Sequence, residues 1–125
     1  SHSSVEVLEH FIRHWVGTVI STNVGALPKL VLSEGRNFPE IAKFYLEEVI
    51  SRAFGLIGAV LRRGIAAGEF IEIDVEYAVK SMISPAIFAL LWKHSFEPHS
   101  ENRLDVDKFL STHLKLIVHG LKRSD

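Results

Sequence analysis

Between Asn37 and Phe70 the chain carries one long helical pattern with both a start and a stop. Asn37 is placed to cap the first turn, and Pro39 follows at a position where a missing N–H costs nothing. Gly68 can take the left-handed conformation that closes a helix, and Arg62 and Arg63 precede it where cations suit the helix dipole. The pattern predicts a helix of roughly eight turns, about 43 Å long. Everything else in the chain must pack around this spine.

At 100° per residue, Ala42, Tyr45, Leu46, Val49, Ala53, Leu56, Ile57 and Val60 share one broad apolar face, with Ser51, Gly55 and Gly58 on the other side. The stretch Ala53–Leu61 is uncharged and is expected to be buried on most sides. Each interior glycine costs about 1 kcal/mol relative to alanine. Close approach of another backbone, or space beside a cavity, is expected to offset that.

Four further helices are predicted. The first covers Val5–Ile20 behind a Ser3 or Ser4 cap, with Val5, Leu8, Ile12, Trp15, Val16 and Val19 inward. A short second helix, Val24–Ser33, has Pro28 in its first turn and Gly35 as its stop; it is either a moving element or a connector lidding the core. The fourth, Val75–Ser95, is capped by Asp74. It turns Val75, Ala78, Val79 and Met82 inward and is expected to bend at Pro85. Beyond Pro85, Ala86, Ala89 and Leu90 continue the inner face while Phe88, Leu91 and Trp92 cover the reverse. The last helix, Val106–Leu121, is capped by Asp105 and has a wide apolar face around Phe109, His113, Leu114, Ile117 and Val118. A small domain cannot wrap a helix on every side, so these reverse faces predict a homodimer. The fold class is all-α.

Composition narrows the function. A chain of 125 residues suits one domain, and a formal net charge of −1 leaves no electrostatic footprint for nucleic acid. With no cysteine there is no disulfide framework and no thiolate chemistry. The longest charge-free run, Ser81–Trp92, falls well short of the about 20 residues of a membrane span. There is no phosphate loop or nucleophile elbow, and Glu47 and Glu48 point about 100° apart, so no catalytic residue and no enzymatic activity are expected. His10 and His14 are spaced to share a metal, but Phe11 stands where the HExxH pattern needs glutamate; a solvated pair is expected, with no metal and no cofactor. Ser1–Ser4 are set aside as a cloning remnant or irregular start, leaving 5–123 as the domain.

The residues Glu34, Arg36, Phe38, Pro39 and Glu40, then a long helix closing in Gly64, Gly68, Glu69, Phe70 and Asp74, resemble the C-terminal half of the TetR (tetracycline-repressor) family of transcription regulators. The resemblance implies a five-helix domain whose last two helices build an intersubunit four-helix bundle. A helix-turn-helix domain is expected before residue 1, and it alone would meet DNA. The resemblance also implies a cavity among the first four helices, bordered by Phe11, Trp15, Leu30, Tyr45, Val49, Arg52 and Met82, for a small apolar or amphipathic effector. Plain core packing competes for the aromatic residues, and surface pairing with Glu48 competes for Arg52. Phe88, Leu91, Trp92, Phe109, His113, Leu114, Ile117 and Val118 form the expected dimer contact. The setting expected is cytoplasmic, without a membrane partner. Two other classes remain: a helical dimerisation or adaptor module with no ligand, and a small helical enzyme or haem-type sensor using His10, His14 or His113.

Overall fold

The computed structural model describes residues 3–21 and 33–123. The expected second helix lies outside the described residues except for its end, where Ser33 and Glu34 are helical; the side chains of Val16, Val19 and Leu90 lie outside them too. Among the described residues the chain is helical. Helix α1 is Ser4–Ser21; the spine is α2 (Pro39–Tyr45), a π turn (Leu46–Ile50) and α3 (Ser51–Ala66); α4 is Val75–Leu91, followed by a second π turn (Trp92–Phe96) and a 3-10 turn (Glu97–His99); α5 is Val106–Leu121.

The spine keeps helical dihedrals through both junctions, but it is not one uniform α-helix. Ser51 donates to the Leu46 carbonyl five residues back, which inserts one extra residue. That insertion turns α3 relative to a wheel drawn from residue 39. Ala53, Ile57 and Leu61 are buried, whereas Leu46 and Leu56 are more than half exposed. The expected face is therefore corrected by one position beyond the π turn. Gly58, assigned to the outer side, is buried, and the middle of α3 is open at Gly55, Leu56 and Ala59. The start of the spine also differs. Phe38 holds the cap position and Pro39 follows, while the Asn37 amide donates to Glu34 at 3.1 Å instead of capping the helix.

The turn after α3 ties three elements together. Gly68 has φ +76°, in the left-handed region. The N–H groups of Glu69 and Phe70 both donate to the Gly64 carbonyl, at 2.9 and 3.1 Å. This folds the buried Phe70 ring onto Gly64, where a β-carbon would overlap it. The Glu69 carboxylate accepts from the Ser4 N–H at 3.1 Å and from the Ser4 hydroxyl at 3.2 Å, placing negative charge at the start of α1. Ile71 donates to Leu121 at 2.7 Å and Arg123 to Glu69 at 3.1 Å, flanking one antiparallel bridge between Phe70 and Lys122. Ser3 and Ser4 thus belong to the fold: Ser4 is fully buried, and the Ser3 hydroxyl accepts from the Glu6 N–H and donates to the Glu6 carboxylate, both at 3.2 Å.

The core lies where α1, α3, α4 and α5 meet, with Leu8, Ile12, Ile57, Leu61, Val79, Met82, Ala86, Leu110 and Leu114 among its buried side chains. Asp74 caps α4 by accepting from Tyr77 at 3.3 Å, and Asp105 caps α5 by accepting from Lys108 at 3.1 Å. Pro85 lies inside α4, which continues through it to Leu91 and then gives way to the π turn before the expected end at Ser95. Glu97 closes the connection to α5, accepting from the Leu104 N–H at 2.7 Å and pairing with Lys93 at 3.6 Å.

Candidate functional site

The expected site residues fall in two regions, and the first involves α1, the spine and α4. Met82 is buried in the core, and Phe11 and Trp15 pack half-buried against the same core. Tyr45 is 6 % exposed, and burial pushes its phenol pKa above the usual value. Val49 lies half-buried in the π turn that follows it. Arg52 does not join them. Its side chain is 75 % exposed and its guanidinium donates to Glu48 at 3.1 Å, an exposed pair of small energetic weight. Leu30 lies outside the described residues.

The second region is the outer face of α4 and α5. Along α4, Ile73, Tyr77, Ser81, Ser84, Phe88 and Leu91 recur at intervals of three or four and are all exposed; Tyr77 is the most open of the aromatics, at 65 %. Along α5, Phe109, His113, Leu116 and Gly120 recur in the same way, the first two half-buried and the last two exposed. Where the stripes meet, Tyr77, Ser81, Met82, Ile117, Gly120 and Leu121 line an open, mostly apolar groove of about 400 Å³. At the other end the aromatic rings form a run. Phe109 lies 5.6 Å from Phe88, Phe88 stacks on Trp92 at 6.1 Å, and Trp92 meets Phe96 at 5.9 Å. His113 Nε2 is 3.2 Å from the Met82 carbonyl, so this nitrogen carries the hydrogen and donates. Burial lowers its pKa, and the Met82 bond opposes that in part.

The remaining candidates are simpler. His10 and His14 are exposed, with nearly parallel rings 6.3 Å apart. Gly55 and Gly58 border a shallow groove of about 230 Å³ between α3 and α4, with Phe54, Arg62 and Val79. Gly55 opens on free space, and a β-carbon at Gly58 would crowd the Arg62 guanidinium at 3.2 Å.

A family model described as the AefR-like transcriptional repressor, C-terminal domain, matches residues 6–106. The chain belongs to the TetR family. No curated protein and no solved structure matches it. As a TetR C-terminal domain it is of the regulator class that carries ligand binding and dimerisation in general, a non-catalytic kind of domain. Among the described residues no helix is long and apolar enough to cross a membrane.

Within this TetR-family chain the expected contact residues divide. Phe88 and Leu91 are open at 49 % and 40 %, and Trp92, Phe109, His113, Ile117 and Val118 are half-buried. Leu114 is corrected: at 3 % exposure it points into its own core, because it lies a third of a turn from the open stripe. The sequence reading missed Tyr77, Ser81 and Gly120 as contact candidates. The signal was present as an alternation of large and small residues every three or four positions, and it was obscured because serine and glycine do not register as an apolar face.

Proposed function

We propose that this chain is the effector-sensing and homodimerising half of a cytoplasmic TetR-type transcription regulator. The dimer forms through the outer faces of α4 and α5, packing them against their twins as a four-helix bundle. A monomeric protein leaves few apolar patches of this extent in water, and knobs such as Phe88, Tyr77 and Leu116 alternate with sockets at Ser81, Ser84 and Gly120. The observation that carries the reading is Phe88, 49 % exposed on that face in a chain matched to the family over residues 6–106.

The effector is a small apolar or amphipathic molecule, held between α1, the spine and α4 near Phe11, Trp15, Tyr45, Val49 and Met82. These are soft or aromatic side chains with one buried phenol for orientation, the usual make-up of such a site. DNA is read by a separate N-terminal domain. In a dimer the two reading modules enter successive major grooves when about 34 to 36 Å apart. An effector that prefers another arrangement of α1 against the spine draws the population from that spacing, by no more than its differential affinity.

Native mass spectrometry of the purified chain tests both halves of this reading. The expected result is a two-chain species that takes up or retains a small molecule. A bare single-chain species at micromolar concentration contradicts it.

A further inference from the structure

His113 is the imidazole on the open stripe, one turn from Phe109 on one side and Ile117 on the other. It is half-buried, and its bond to the Met82 carbonyl crosses from α5 to α4 one turn before Pro85. Met82 and Ile117 also line the groove, so the ring stands at the wall of the surface to be covered. The charged groups on neighbouring elements are engaged elsewhere. Arg13 of α1 donates to Ser111 at 3.1 Å on a different face of α5. Glu76 and Lys80 of α4 pair with each other at 3.4 Å, with the Lys80 ammonium over the Tyr77 ring. Asp74 caps α4 at the far end of the groove, and Glu69 is held by Ser4 at the turn. The lowered pKa of His113 has burial as its largest cause, with no charged partner acting against it.

We infer that His113 makes the association of two copies sensitive to pH: the contact accepts the neutral ring, and protonation loosens it. This rests on the homodimer reading above. A second copy closing the stripe removes water that would otherwise solvate an imidazolium, and no carboxylate stands beside the ring to compensate. The free chain, whose His113 already lies below the ordinary histidine value, therefore binds the proton first as pH falls. Association is strongest above the free chain's lowered value and weakens as pH drops from it towards the still lower value of the covered ring. His113→Gln keeps an N–H for the Met82 carbonyl and removes the charge.

Sedimentation velocity of the chain between about pH 7.5 and pH 5 tests this, since the window runs from above the ordinary histidine value to well below it. The wild-type dimer is expected to dissociate at least roughly tenfold more readily at the lower pH, two rings titrating per dimer, and the Gln variant to change little. A wild-type dimer constant that does not move overturns the inference, whether or not the variant folds. Equal weakening of both proteins also overturns it, because another group is then responsible. A monomer at both pH values removes the homodimer reading itself, a result distinct from either.

Discussion

Gly64 has no room for a side chain, because the Phe70 ring occupies the place a β-carbon would take. Substitution by alanine must push that ring outward or open the turn, and overpacking of this kind costs about 1–3 kcal/mol. Gly64→Ala is expected to lower the unfolding free energy, read from the urea midpoint, by that amount, and Gly68→Ala, at φ +76°, by about 1 kcal/mol. Equal stability of wild type and Gly64→Ala would show that the ring does not rest there. The same positions show what one residue can announce. Gly68 was legible as a helix stop because few residues other than glycine adopt positive φ, whereas the reason for Gly64 was not, since it depends on a ring six positions later. Glu69 carried no local signal either: its partner is Ser4, brought there only by the finished fold.

At the scale of elements, helix type and most boundaries were legible, because the caps are local. Asp74 and Asp105 each accept from the backbone three residues on, as the sequence pattern requires. The π turn was not. Neither Leu46–Ile50 nor its flanks contain a proline or glycine, and the extra residue is set by packing on both sides of the rod. The wheel therefore ran true up to Tyr45 and slipped beyond it, which misplaced Leu56 and Gly58. The slip makes a prediction. Deleting Glu47, which is exposed within the π turn, restores an ordinary α-helix and leaves both buried faces in place. Deleting Ala59, equally exposed but inside α3, rotates Leu61 and Gly64 by about 100° out of the core. Circular dichroism melts are expected to stay cooperative for the first deletion and to lose cooperativity for the second. Loss in both would mean that the π turn is itself required.

For the whole molecule, the candidate sites differ in how far sequence reached them. The apolar reverse of α4 was readable, since no charge interrupts Ser81–Trp92 and the core can take only one side of the helix. The border of an effector cavity was much less so: Phe11, Trp15 and Met82 all belong to the core, but Arg52 turned to the surface beside Glu48. The account thus stands on α4 and α5 covering each other's twins. Phe88 belongs to that contact and lies outside the chain's own core, so Phe88→Asp gives up ring contacts with Phe109 and Trp92 but no core contact, while burying a charge wherever two copies meet. Sedimentation velocity of the two proteins side by side is the direct measurement. A wild-type dimer with a folded, monomeric Phe88→Asp variant is the predicted result, and a wild type that sediments as a monomer at the same micromolar concentration would contradict the account.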